Sequence, residues 1–170
     1  QDRVAQVYQG VVFMDFDKTL LETRGFGHYE PLQLSNLPPL YIAYRTDLSE
    51  GSEVFHNNIR DRFNRGEKEV VDAMNFWADI TMQARTALAE GDWSTLAALM
   101  DANFDRRRQI FNLSEGNLRM VETARKVGAS AKFTGSGGAI IGTYTDDAMY
   151  ERLAKAFAPQ NIRVLKPVLV

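Results

Sequence analysis

Apolar and polar positions change their period several times along this chain, and each change predicts a different kind of element. "QDRVAQVY" (1–8) reads as the inside of a helix, and "GVVFMDF" (10–16) as a short apolar strand. A polar, glycine-containing connection over 22–39 ends in "LPPL", whose paired prolines oppose a helix, before "LYIAYRT" (40–46) supplies a second strand. From there a helical period takes over. "SEVFHNNIRDRFNRG" (52–66) stops at Gly66, and 67–91 carries Val70, Val71, Met74, Trp77, Ala78, Met82 and Leu88 at three-to-four spacing before Gly91 ends it. Asp92 caps a helix over 93–111, and Ser114 one running to about Gly128. These helices are expected to pack as antiparallel neighbours.

The last third changes rhythm again. "SAKFT" (130–134) and "AIIGTYT" (139–145) read as strands joined by "GSGG", 146–158 as a helix closed by Pro159, and 162–170 as a final strand. From strand 40–46 onward, leaving out the helices at 52–111, the order is β-α-β-β-α-β, the split arrangement of ferredoxin-like α+β folds. The helical block becomes an insertion between the first strand and the first helix of that unit.

Composition narrows the field without naming a function. The 170 residues suffice for one sizeable core, and 45% apolar with 25% charged residues is the balance of an ordinary globular protein. A net charge of −2 gives no electrostatic reason to expect nucleic acid, and no apolar run reaches bilayer length, so no membrane partner is expected. There is no cysteine, and His28 and His56 are the only histidines, which argues against a thiolate or zinc centre. A cytoplasmic location is the default expectation. The chain begins on Gln1 inside helical sequence with no signal-peptide pattern, and reads as the later part of a longer protein.

One motif invites a catalytic reading. In "VVFMDFDKTLLE" (11–22) a strand runs into Asp15-x-Asp17-x-Thr19, the way a haloacid-dehalogenase-type phosphatase presents its nucleophile and its acid-base with Mg²⁺. Thr134 would then bind phosphate, and Asp146 with Asp147 would form the terminal acidic pair. Such an enzyme also needs a lysine between those points, and residues 135–145 hold none; Lys132 comes before Thr134 and Lys155 lies inside the next helix. It needs a parallel sheet of repeated strand-helix crossovers, for which there are too few units. The competing expectation is a strand end whose Asp and Thr satisfy turn backbone groups.

A wider resemblance covers more residues. "NLRMVETARKVGASAKFTGSGGAII" (117–141) resembles the third conserved segment of the GHMP small-molecule kinases. Together with the segments beginning at Leu37 and Ala84 and the opening "QDRVAQVYQGVVFMDF", it is similar to the plant-type glucuronokinases and, more distantly, to bacterial heptose kinases. The resemblance spans nearly all of 1–170, least distinctly at 17–30 and at the C-terminal helix, and corresponds to the latter half of such a kinase. It implies that 1–36 ends an N-terminal domain and that 37–170 is the C-terminal domain. It implies ATP and Mg²⁺ as cofactors, phosphorylation of a sugar at its anomeric hydroxyl with glucuronate as acceptor and a heptose or another hexose derivative as the alternative, and an upstream half that supplies the phosphate cradle and the Mg²⁺ ligands. No metal ligand is expected within this chain. The other classes left open are the phosphatase and a non-catalytic interaction module.

On that resemblance Asp2, in "QDR", is the candidate catalytic residue, taking or orienting the acceptor hydroxyl's proton. Gly135, Ser136, Gly137 and Gly138 form a turn bordering nucleotide or substrate, since glycine lets backbone approach closely. Arg106, Arg107 and Arg108 are successive helix positions about 100° apart, so they cannot all face one ligand. Asp101, Asp105 and Glu115 are the expected partners of a solvated face, with one arginine available to grip a uronic-acid carboxylate. His56 and the Met74–Trp77 stripe read as packing residues.

Overall fold

The computed structural model describes residues 2–8, 10–34, 36–45 and 59–168, with Asp2 described by its backbone alone. The chain divides into two compact units, Gln1–Leu37 with Val168–Val170, and Pro38–Pro167.

In the first unit helix α1 (Asp2–Tyr8) precedes strand β1 (Val12–Asp15), helix α2 (Lys18–Arg24) and strand β2 (His28–Pro31), which pairs antiparallel with β1. The sequence predicts α1 and β1, whereas the end of α2 and all of β2 fall in the stretch 22–39 that it presents as a plain connection. Helix α2 exists because its ends are secured. Asp17 accepts the Leu20 amide at the N-cap, and Gly25, at φ 77°, closes the C-terminus on the Leu21 carbonyl. Strand β2 reads His-Tyr-Glu-Pro, too polar and short to stand out, and forms because β1 offers it a ladder.

The second unit carries strand β3 (Leu40–Tyr44), a helical segment α3 over 59–64, helices α4 (Lys68–Glu90), α5 (Trp93–Ile110) and α6 (Glu115–Lys126), strands β4 (Lys132–Phe133) and β5 (Ala139–Thr143), helix α7 (Asp147–Phe157) with a 3₁₀ turn over Ala158–Gln160, and strand β6 (Arg163–Leu165). The expected helix over 52–66 is described from residue 59 on; His56 lies outside the described residues. The strands form one antiparallel sheet in the order β4-β5-β3-β6. With α6 and α7 as the two crossovers this is the ferredoxin-like β-α-β-β-α-β arrangement, and α3 to α5 are its insertion.

Period two decides which face of the sheet is buried. Ala43, Ile140 and Phe133 lie in register on one face, joined by Tyr41, and they meet Met120, Val121 and Ala124 of α6 and Met149, Leu153 and Phe157 of α7. Phe104 of α5 enters this same core, edge-on to Phe133 at 5.1 Å. The buried Tyr41 hydroxyl donates to the Ser130 carbonyl at 2.8 Å, and burial raises its pKa well above the usual phenol value.

Helices α4 and α5 pack as a hairpin about Gly91, in the left-handed conformation, and Asp92, which accepts the Thr95 amide at 3.0 Å. Val70, Ala73, Ile80 and Ala87 are the buried line of α4, and Trp77 sits on that side, donating to the Asn103 carbonyl. Met82 and Ala78, expected on the apolar stripe, are exposed, because the contact follows a seven-residue repeat through 73, 80 and 87. Ser114 holds the N-cap position of α6 without capping it: its side chain makes no cap hydrogen bond, and its hydroxyl is buried without a partner.

Candidate functional site

The glycine turn is built between β4 and β5. The Thr134 amide donates to the Ala139 carbonyl at 3.2 Å, closing the hairpin, and the next four residues carry the reversal. Gly137 and Gly138 adopt φ of 152° and 74°, a region that L side chains rarely enter. The turn is held from behind at Gly138. Its amide donates to Asn117 Oδ1 of α6 at 2.8 Å, and its carbonyl accepts the Arg45 amide, just past β3, at 2.9 Å. A Cβ at Gly137 would stand 2.7 Å from Asn117 Nδ2, whereas one at Gly135 would meet open space. The open side of the turn is therefore at Gly135, and a bulky residue at Gly137 would collide with the brace.

Asn117 is the residue sequence reasoning missed. It is fully buried, and the signal was present: Asn117 continues the apolar line Met120, Val121, Ala124 at helical spacing, where a polar side chain needs a partner.

The three arginines of α5 separate as their angular spacing requires. Arg106 donates to Gln109 Oε1 and lies over the Phe76 ring, while Arg108 reaches Glu122 at 3.4 Å on the exposed side. Arg107 turns inward, its guanidinium 5.1 Å from the centroids of both Phe111 and Phe133. Its Nε is buried without a hydrogen-bond partner, and no carboxylate pairs with it among the described residues. Lys132 of β4 precedes Phe133, whose ring the guanidinium covers. The Lys132 ammonium donates to the Phe133 carbonyl at 2.8 Å and likewise has no acidic partner among the described residues. Burial lowers the Arg107 pKa; burial and then the Arg107 charge lower that of Lys132.

Asp101 and Asp105, expected as partners of these arginines, belong instead to Arg125 of α6. Arg125 reaches Asp101 Oδ1 at 3.0 Å, Asp105 Oδ1 at 2.6 Å and the Asp101 carbonyl at 2.9 Å, and Asp101 Oδ1 also accepts the Ala131 amide at 2.8 Å. Burial still raises the Asp101 pKa, outweighing the Ala131 and Arg125 contacts that oppose it.

The other sequence candidates sit elsewhere. Asp2 opens α1, and its side chain lies outside the described residues. Asp15 accepts the Asp17 amide at 2.9 Å and Asp17 accepts the Leu20 amide at 3.0 Å, so both carboxylates serve local backbone, as a strand end entering a turn requires. Asp146 caps α7 through the Met149 amide, and Asp147 pairs with Lys166. Among the described residues no three His, Asp or Glu side chains come together as an all-protein metal site would need. A separate cavity of about 400 Å³ opens at the other end of the β4–β5 hairpin, among Pro38, Pro39, Trp93, Ser130, Thr143 and Tyr144, with no charged residue in its lining. No described helix is long and apolar enough to cross a membrane.

Comparison with known proteins finds a matching family model, curated relatives and solved structures of similar fold. The model for the GHMP kinase C-terminal domain matches residues 84–159. Glucuronokinase 1 of Arabidopsis thaliana is 44% identical over 144 residues, covering 83% of this chain and 40% of its own length. Probable glucuronokinase 2 of the same plant is 44% identical over 145 residues, covering 83% of this chain and 39% of its own length. The chain thus spans about two fifths of the length of these relatives. Among solved structures, L. major mevalonate kinase in complex with R-mevalonate is similar over 99% of this chain and 53% of its own, with a TM-score of 0.80 and 21% identity, a likeness of fold.

Proposed function

Because this chain belongs to the GHMP kinases, carrying their C-terminal domain, we propose that its protein transfers the γ-phosphate of ATP to a sugar hydroxyl, with glucuronate as acceptor and its anomeric hydroxyl as the nucleophile. The observation that carries the reading is the 44% identity to a glucuronokinase across 83% of the chain. The braced turn supports it, since a rigid backbone corner with an open side at Gly135 can border a substrate without moving.

In this reading Asp2 accepts the proton of the acceptor hydroxyl as that oxygen bonds to the γ-phosphorus and the bond to the departing ADP oxygen breaks. Gly135, Ser136 and Gly137 form the wall beside the reacting groups, with Gly138 committed to Asn117. Mg²⁺ has no set of ligands among the described residues, so no step here runs through it. The nucleotide phosphates and the metal are assigned to the greater length that the relatives have beyond the matched region.

The test is ATP consumption by the full-length protein against a panel of uronic acids, hexoses and heptoses. Turnover is expected with glucuronate, and Asp2→Asn should abolish it while leaving the circular dichroism spectrum unchanged. Hydrolysis of a simple phosphate ester that needs Mg²⁺ and disappears in Asp15→Asn would instead establish the phosphatase reading.

A further inference from the structure

Buried cations in a folded protein are normally met by a carboxylate or by backbone carbonyls, because an uncompensated charge in a low-dielectric site is costly. Arg125 obeys that rule with three hydrogen bonds to Asp101 and Asp105. Arg107 and Lys132 break it together. They are of like charge and both half-buried, and both meet Phe133, the lysine through its carbonyl and the guanidinium over its ring; that one carbonyl is the only acceptor given to the pair among the described residues. Their surroundings nonetheless fix them. Two aromatic rings hold the guanidinium, and the lysine stem lies along the last strand before the glycine turn.

We propose that Arg107 and Lys132 form the seat for the carboxylate of the acceptor sugar and so select a uronic acid over the corresponding neutral hexose. The inference rests on the kinase reading and deepens it. With its Nε buried, the guanidinium meets an acceptor through its two terminal Nη groups, which match a carboxylate by two parallel bonds. The ammonium, with one N–H spent on Phe133, keeps two more. Lys132 is three residues from Gly135, at most roughly 10 Å along the chain. That is the scale of one sugar ring with its hydrogen bonds, so a uronic acid seated at the cations can offer its far hydroxyl near the turn. A carboxylate there would relieve the repulsion between the two cations, so each group gains only when the acidic substrate is present. Arg106, whose Nε is also buried without a partner, spends its Nη1 on Gln109 and lies over Phe76 rather than Phe133, and Arg108 reaches Glu122, so neither takes part.

The experiment is steady-state kinetics on the full-length protein and its Arg107→Met and Lys132→Met variants, with glucuronate, glucose and ATP each varied, alongside thermal unfolding and calorimetric titration of glucuronate without nucleotide. Expected are a KM for glucuronate raised roughly 10- to 100-fold in each variant, loss of the preference for glucuronate over glucose, an unaltered KM for ATP, and a melting temperature equal to or above that of the parent. An unchanged KM for glucuronate overturns the proposal. So does a rise confined to the KM for ATP, which would give the pair to a nucleotide phosphate. If Arg107→Met does not fold, Arg107→Lys, which keeps the charge and loses the fork, together with Lys132→Met decides on the same criteria. Absence of turnover with any sugar in the parent protein defeats the kinase reading instead; the seat is then judged by calorimetry, where glucuronate binding equal in parent and variants sinks it and binding lost in the variants sustains it.

Discussion

Two arginines meet around helix α5, and their fates are opposite. Arg125 of α6 crosses to Asp101 and Asp105 and ties α5 to the start of β4 through Asp101 and the Ala131 amide. Arg107 of α5 is also half-buried, yet it rests on two rings, and one of them belongs to Phe133, whose carbonyl holds a second cation, Lys132. The first cluster is electrostatically closed and serves the fold. The second is open, and a fold gains nothing from holding two like charges together. The difference separates charges placed for stability from charges placed for a ligand, within one packed unit and about the same helix.

That contrast can be broken by substitution. Arg125→Met should lower the unfolding free energy by about 2–4 kcal/mol, since it strands the Asp101 carboxylate, and urea titration would show a lower midpoint at unchanged slope. Gly137→Ala should cost about 1–3 kcal/mol through its positive φ and its collision with Asn117, whereas Gly135→Ala should stay within about 0.5 kcal/mol. Equal costs at the two glycines would contradict the brace. Lys132→Met should move stability the other way, raising it by about 0.5–2 kcal/mol, the trade expected where a site is strained for function. A loss of stability at this position would move Lys132 into the structural class beside Arg125.

The smallest effect is a pH dependence. Folded Lys132 gives up its proton at lower pH than it does in the unfolded chain, so between those two values the unfolded state binds more protons and unfolding free energy climbs with pH. The penalty is fully present at neutral pH and fades toward the ordinary lysine range. Urea midpoints measured from neutral to alkaline buffer should show this rise in the parent protein and a flatter profile in Lys132→Met.

Local signals carried much of the fold. Gly91 and Asp92 mark the α4–α5 hairpin because a left-handed C-cap and an N-cap are decided by single residues, and the short run "AIIGTYT" set off by "GSGG" reads as its strand. Helix α2 and strand β2 were illegible because a seven-residue helix and a four-residue polar strand lean on their caps and on β1 rather than on a periodic apolar face. The arginine run illustrates the other limit. Helical spacing shows that the three side chains diverge, but Asp101 is claimed from 24 residues away, a pairing no local window contains. The glycine turn was read directly from "GSGG", while Asn117, which holds it, shows only as a polar residue on an apolar stripe.

The most direct measurement is a crystal structure of the full-length protein with glucuronate bound. The account predicts the carboxylate oxygens at hydrogen-bond distance from the Arg107 guanidinium and the Lys132 ammonium, with the sugar's other end toward Gly135. A carboxylate bound elsewhere, with Arg107 still resting only on Phe111 and Phe133, would contradict it.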